Sequence, residues 1–275
     1  MPELPEVEFA ARCLRRWAGG RRIEAAELDP RARRLVRPVA PADFARTVAG
    51  ARVVGVSRKG KHLLVSLDKE GAALGLVSHL GMTGKWLRER AGAAPPRHSR
   101  ARLRLSDGRV LHYQDPRLFG RLRLVPDGRF EEVPEVKALG PDPLQQGIDP
   151  DRLGAALSRT RLPVKVKLLD QRLLPGVGNI HAAEACFRAR IDPRRASRSL
   201  SKGEVRRLAR AVLASFRMTL EAERGPRITY VEEGGENPFK VYGREGERCP
   251  RCRRGRIRRL VQSQRSTFYC PRCQR

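Results

Sequence analysis

Residues 139–150 read Leu-Gly-Pro-Asp-Pro-Leu-Gln-Gln-Gly-Ile-Asp-Pro, and they divide the chain into two halves with different periodicity. Glycine and proline at positions 140, 141, 143, 147 and 150 break regular structure, so the segment reads as a linker. Upstream, from about Ile23 to Val125, short strand-like runs alternate with turns: Ala51–Ser57, His62–Leu67, Ala73–His79 and the alternating Ala101–Leu105. Ser106-Asp107-Gly108 separates that last run from Arg109–Tyr113, a hairpin signal. This half is predicted to be antiparallel β, a sandwich or barrel, led by a helix over Pro5–Gly20 with Val7, Ala11, Leu14 and Trp17 on one face.

Downstream the period becomes helical. Asp149 can cap a helix whose first residue is Pro150, and Pro163 starts another that runs into Pro175-Gly-Val-Gly-Asn179. A further helix follows through Phe187. Ser201-Lys-Gly-Glu204 is a capping box opening a helix with Val205, Leu208, Val212 and Phe216 on one side. Gly225–Pro238 has no periodicity and reads as a loop.

Four of the six cysteines fall in the last 27 residues, as Cys249-x-x-Cys252 and Cys270-x-x-Cys273. Two such knuckles 17 residues apart supply four thiolates for a closed tetrahedral site, which predicts one structural zinc ion. Ile257–Gln262 and Ser266–Tyr269 read as the hairpin between them. From Lys240 to Arg275 there are 12 Lys or Arg against Glu245 and Glu247, a concentration suited to phosphate. Cys13 and Cys186 lie in apolar helical patterns and read as small buried hydrophobes. The fold class that results is α+β multidomain: an N-terminal antiparallel β-sandwich with a leading helix (1–138), a helical domain (139–226), and a loop with a four-cysteine zinc hairpin (227–275).

The chain of 275 residues carries 58 Lys plus Arg against 30 Asp plus Glu, a formal charge of +28 that points to a polyanion partner. No apolar run approaches the roughly 18 residues of a membrane span. The opening Met-Pro-Glu-Leu-Pro-Glu-Val-Glu-Phe carries acids rather than a basic leader, so a secretory signal is not expected. Nucleic acid is the partner this balance favours. Removal of Met1 would leave Pro2 as a secondary amine with an ordinary pKa of about 8. Such an amine can condense with an aldehyde carbon, losing water, to form a Schiff-base iminium ion. Glu3 sits beside it and Glu6 follows, although acids near a helix start are also an ordinary dipole device.

The opening Met-Pro-Glu-Leu-Pro-Glu-Val-Glu resembles that of the formamidopyrimidine-DNA glycosylase family (Fpg/Nei). The resemblance continues in family order. Ser57-Arg-Lys-Gly-Lys61-His-Leu-Leu is similar to its lysine-bearing turn. His79-Leu-Gly-Met82-Thr-Gly84 and Asp115-Pro-Arg117-Leu-Phe119-Gly120 are similar to its two DNA-probing loops. Leu139–Leu144 is similar to its linker, and Leu169-Asp-Gln with Gly176–Ile180 to its helix–two-turns–helix motif. Val241-Tyr-Gly-Arg and Gln264-Arg265-Ser-Thr-Phe-Tyr-Cys270 are similar to its zinc finger.

That resemblance implies a bifunctional base-excision enzyme, a glycosylase for formamidopyrimidines and 8-oxoguanine in duplex DNA with abasic-site lyase activity. It implies a catalytic set of Pro2 as nucleophile, Glu3 as general acid, Glu6 in support, and Lys61 and Arg265 assisting two eliminations. It implies that Met82, Arg117 and Phe119 fill the space left by a flipped nucleotide, and that His98, Arg161, Lys165 and Asn179 contact phosphate. It further implies a cytoplasmic, nucleoid-associated monomer in a bacterium. Three positions depart from the family pattern. Leu118 stands where a second base is usual, His181 where tyrosine is common, and the Gly225–Pro238 loop lacks the Gly-Thr-Thr pattern. A non-catalytic damage sensor or ribosome-associated zinc-ribbon protein would account for the charge and cysteines, but not for Pro2, Glu3 and Lys61 together. The Nei branch, favouring oxidised pyrimidines, would keep the chemistry, yet ELPEVE and HLGMTG look more like the formamidopyrimidine branch.

Overall fold

The computed structural model describes residues 2–223 and 237–275. The expected 225–238 loop therefore lies almost wholly outside the described residues. Among the described residues the chain divides into two compact units: Pro2 with Glu6–Lys137, and Glu3–Pro5 with Ala138–Glu223 and 237–275.

The first unit contains most of α1 (Leu4–Ala18), then β1 (Ile23–Leu28), α2 (Pro41–Val48), β2 (Arg52–Lys59), β3 (His62–Lys69), β4 (Ala72–His79), β5 (Lys85–Arg90), β6 (Ser99–Leu105), β7 (Arg109–Gln114), β8 (Arg121–Pro126) and α3 (Pro134–Lys137). The strands form two four-stranded antiparallel sheets, ordered β2-β3-β4-β8 and β1-β6-β7-β5. One core joins them: Leu63, Leu67 and Leu76 from one sheet pack with Ala101, Leu103 and Leu105 from the other, and the Val7, Ala11, Leu14, Trp17 face of α1 adds to it. Each large aliphatic side chain so buried contributes about 1.5–3 kcal/mol. β3 does not alternate, because Leu64 on its outer face is also covered, by Val133 and Val136 beside Phe130. The sandwich is therefore buried on both faces there.

One element departs from the sequence reading. Residues 41–48, inside the stretch read as strand-like runs separated by turns, form α2. Pro41 occupies its first turn, and Phe44 and Val48, four residues apart, are both fully buried. A two-turn helix shows a single apolar pair, too short a pattern to display a 3.6-residue period.

The second unit holds α4 (Pro143–Gln146), α5 (Pro150–Ser158), α6 (Val164–Lys167), α7 (Asn179–Ala189), α8 (Lys202–Ala222) and the hairpin β9 (Arg258–Gln262)–β10 (Arg265–Tyr269). The Gly-Pro stretch read as a linker is ordered: buried Asp142 caps α4 by accepting from Leu144 N at 3.1 Å, and Gly140 N donates to Gln171 O at 3.2 Å. Asp149 caps α5, and Ser201 with Glu204 forms the expected capping box on α8. The helix expected after Pro163 closes within one turn, as α6, and turns follow to Gly178. Val205, Leu208, Val212 and Phe216 of α8 meet α5 and α7 in the core. Cys13 and Cys186 are both buried, and burial pushes the Cys186 thiol up to about 12, so it stays an uncharged core side chain. Among the described residues no helix is long and apolar enough to cross a membrane.

Candidate active site

In the second unit the N-terminal residues are stitched to the start of α7. Gly178 precedes that helix and offers no capping side chain, so its first amides need an outside acceptor. Glu3, fully buried, supplies it. Its Oε2 accepts from Gly178 N at 2.8 Å and His181 N at 3.1 Å, and its Oε1 accepts from Ile180 N at 2.8 Å. Leu4 N donates to Gly176 O at 3.1 Å. Gly176 is obligatory here: its φ is +85°, and a Cβ would stand 2.4 Å from Leu4 Cβ. Gln171 closes the preceding turn, donating to Val177 O and accepting from Gly176 N, both at 2.9 Å. The carboxyl of Glu3 can neither swing nor reach water freely. Pro2, one peptide bond away, is itself buried, as is Glu6 in the first turn of α1.

Beside this stitch Lys165, also fully buried, donates from Nζ to Asn179 Oδ1. Asn179 Nδ2 donates to Ser266 O at 2.8 Å, which ties α7 to the hairpin residue next to Arg265. Burial pulls the Lys165 ammonium down to about 8, the positive Arg265 adds to that, and Cys186 and Glu3 oppose it. Arg265 and Arg161 are exposed, whereas Lys165 and Asn179 are buried. His181 resolves one of the departures. Its backbone N–H serves Glu3, while its ring lies edge-on to Phe216, 4.9 Å between centroids, with Nδ1 2.7 Å from Ser215 Oγ. The side chain at this position packs the core, so the substitution leaves the Glu3 contacts in place.

The four predicted cysteines converge, with all Sγ atoms within 4.8 Å of one another. Cys249 and Cys273 are 3.6 Å apart, and Cys252 and Cys270 3.9 Å. A tetrahedron of thiolates about 2.3 Å from zinc has edges of about 3.8 Å, so the cradle fits that ion. Gly255 N donates to Cys252 Sγ at 3.3 Å, and a Cβ on Gly255 would stand 3.0 Å from Cys270 Sγ. With four protein ligands no coordination position is left for water, so the zinc is structural. The finger shares a core with α7, through Phe187, Val241, Ile257 and Phe268. Glu184 of α7 holds the turn leading into it, accepting from Lys240, Val241 and Tyr242 N–H groups at 3.0, 2.8 and 3.1 Å.

In the first unit Lys61 sits on the β2–β3 turn. Arg58 steadies that turn from below, donating to Glu8 of α1 at 2.9 Å and to Gly60 O at 3.4 Å. The neighbouring rings of His62 and His79 lie 5.0 Å apart. Burial, then the charges of His62 and Lys61, lower His79 to about 4, so it is a neutral acceptor for Gly81 N–H at 3.1 Å. Met82 is half-buried, whereas Arg117 is exposed and Phe119 is 54% exposed. The Arg117 guanidinium stacks 5.0 Å over the Phe119 ring. Phe119 is thus no core residue: its ring stands in water beside a cation. Half-buried His98, at φ +63°, accepts from Asp115 N through its carbonyl at 3.1 Å. The motif reading passed over Asp115, Gln171 and Glu184, although each is a polar residue inside or beside a quoted motif.

Family models match three stretches: the formamidopyrimidine-DNA glycosylase N-terminal domain at 1–122, its H2TH domain at 139–229, and a zinc finger found in FPG and IleRS at 246–275. The chain is 39% identical over 283 residues to the formamidopyrimidine-DNA glycosylase of Novosphingobium aromaticivorans, covering all of both chains. Its fold is similar to the crystal structure of the MutM (Fpg) protein from Thermus thermophilus, with TM-score 0.82, 39% identity and coverage of 99% and 98%. It is also similar to Lactococcus lactis Fpg in complex with DNA containing N7-benzyl-Fapy-dG, with TM-score 0.88, 27% identity and full coverage of both chains.

Proposed function

The chain belongs to the formamidopyrimidine-DNA glycosylase family, and from that premise we infer that it excises oxidised purines from duplex DNA and cleaves the strand through Pro2. The observation that carries this reading is the buried Glu3 carboxyl, held by three amides of the α7 N-terminus and joined directly to Pro2. An acid–base group needs a fixed position relative to its nucleophile, and a peptide bond plus three hydrogen bonds supply one.

The steps follow from the residues. The Pro2 nitrogen, freed by loss of Met1, attacks the anomeric carbon of the damaged nucleotide, and the bond to the base breaks. Glu3 handles the proton that the departing base or the sugar ring oxygen takes up, with Glu6 in support. The C1′–O4′ bond of the sugar then opens, its oxygen keeping the electron pair and taking up a proton, and the resulting iminium ion acidifies adjacent sugar protons, so successive β- and δ-eliminations expel both phosphates. Lys61 and Arg265 assist these eliminations as cations beside leaving phosphates. Reaching a base inside a duplex requires flipping it, at a few kcal/mol, and Met82, Arg117 and Phe119 would occupy the vacated stack. His98, Arg161, Lys165 and Asn179 would hold the backbone. Zinc bound by the four cysteines supplies rigidity to the finger that presents Arg265.

A similar protein's complex with Fapy-dG DNA supports a purine lesion, and 8-oxoguanine is the second substrate proposed. The three sequence domains are read as working parts of one monomer, since a single chain carries every group the scheme needs. The +28 charge and reduced cysteines suit a cytoplasmic, nucleoid-associated enzyme. Borohydride trapping on abasic-site DNA tests the scheme. Wild type should form a covalent complex, and Pro2→Gly should lose most of it while DNA binding survives. A fully active mature protein that retains Met1 would overturn the assignment.

A further inference from the structure

The two loops that carry Met82, Arg117 and Phe119 are bound to each other, and the bond runs through residues that touch no DNA in the scheme above. Asp115 is fully buried. Its Oδ1 accepts from Thr83 Oγ1 at 2.8 Å and from Arg117 N at 3.2 Å, and its Oδ2 accepts from Gly120 N at 2.8 Å. One carboxylate thus fixes both ends of the Arg117–Gly120 segment and reaches across to the residue after Met82. Arg100 holds the Asp115 backbone in turn, donating from Nε to its carbonyl at 2.9 Å and from a terminal nitrogen to Asp29 at 2.6 Å.

The packing beneath the loops is equally close. Gly81, at φ +63°, lies against the chain at Phe119 and Gly120, and a Cβ there would stand 2.5 Å from the Phe119 carbonyl carbon. Tyr113, fully buried, donates from its hydroxyl to His79 O at 3.0 Å. That hydroxyl would be 2.4 Å from a Cβ on Gly84 and 1.8 Å from one on Gly120. Leu118 completes the arrangement. It adopts a left-handed φ of +55° and packs against the sandwich core. Left-handed backbone is unfavourable for such a residue, and burial of its side chain offsets that cost. Arg117 and Phe119 on either side are thereby turned outward.

We propose that Thr83 and Asp115 are positioning residues that lock the two loops into one prebuilt wedge, with Leu118 as its apolar pin, before DNA arrives. The inference rests on the reading of Met82, Arg117 and Phe119 as void-filling residues. Ordering a loop costs conformational entropy, and a wedge already ordered in the free protein spares that cost at the moment of insertion.

Thr83→Val is the sharpest test, because it keeps the side-chain shape and removes only the hydroxyl that spans the loops. Thr83→Ser restores the donor. Single-turnover excision from a fully stacked duplex should slow roughly three- to tenfold in Thr83→Val, the change that one ordinary hydrogen bond allows. On a lesion opposite a gap, where little unstacking is needed, the loss should fall below about twofold. Thr83→Ser should recover both rates. Amide hydrogen exchange on the DNA-free protein supplies a second readout. The Arg117 and Gly120 amides should be protected in wild type and Thr83→Ser, and released in Thr83→Val and Asp115→Asn. Equal loss on both substrates, no loss on either, or Arg117 and Gly120 amides that are protected only after DNA is added, would each overturn the proposal. Borohydride trapping of wild type on a preformed abasic site, run alongside, separates this failure from failure of the Pro2 scheme.

Discussion

Glu3 in the second unit and Asp115 in the first are both completely buried carboxylates that accept from several donors, yet they are held by different means. Glu3 rests on the start of α7, whose first amides are orphaned in any helix, so the site exists whatever side chain faces it. Asp115 accepts from loop amides and a threonine hydroxyl that converge only because the carboxylate is there. The second unit therefore builds its chemical groups on helices and a metal, and the first builds its wedge on loops. A group on a helix can be altered with its surroundings intact; a group that organises a loop cannot.

Metal removal should produce the largest contrast. Structural zinc sites of this kind are worth about 10–16 kcal/mol at neutral pH, and the finger shares its core with α7 through Phe187. Chelation or Cys270→Ser should abolish DNA binding and loosen the second unit, while melting of the β-sandwich persists. Simultaneous loss of both units, followed by two-dimensional NMR, would break the comparison.

Glu3→Gln comes next. The amide keeps one oxygen for the α7 N–H groups but cannot donate the same proton, so base excision should fall by about 10²–10⁴-fold. Cleavage of a preformed abasic site should be partly retained, since no base has to leave. Equal losses on the two substrates would remove the distinction between departure of the base and elimination.

Phe119→Ala sharpens the other side. A core phenylalanine truncated to alanine loses about 3–5 kcal/mol, whereas a ring 54% exposed should leave the melting temperature nearly unchanged. Excision from stacked duplexes should drop, and from gapped ones much less. A large fall in melting temperature with proportional loss on every substrate would assign Phe119 a packing role instead.

The smallest effect concerns pH. His79 is held neutral, with a folded pKa of about 4 against 6.5 unfolded, and it accepts Gly81 N–H beneath Met82. Between those values the unfolded chain binds more protons, so stability rises with pH. The contribution is complete above about 6.5 and is lost as pH falls toward 4. Denaturant titrations from pH 7 to 4 should show this slope in wild type and a flatter one in His79→Gln.

Much of this was legible in the sequence wherever the signal is local. Two Cys-x-x-Cys pairs, a Ser-x-x-Glu capping box, Pro150 after Asp149 and the Ser-Asp-Gly hairpin each place their partners within a few residues, and each is found where expected. α2 escaped because two turns display one apolar pair, and the 140–147 segment was read as linker because proline and glycine also begin and end short capped helices.

What the sequence determined alone, then, were the elements, the metal ligands and the motifs that identify the family, because side-chain periodicity, capping and ligand spacing act over a few residues. Only tertiary structure decided how those motifs are held. The Thr83–Asp115 bond joins residues 32 apart, and Glu3 meets Ile180 across 177 positions. Leu118 faces the core and His181 faces Ser215, which turns two apparent departures into packing choices. Hydrogen bonds and close packing depend on distance in space, and folding alone brings distant positions within 3 Å of each other.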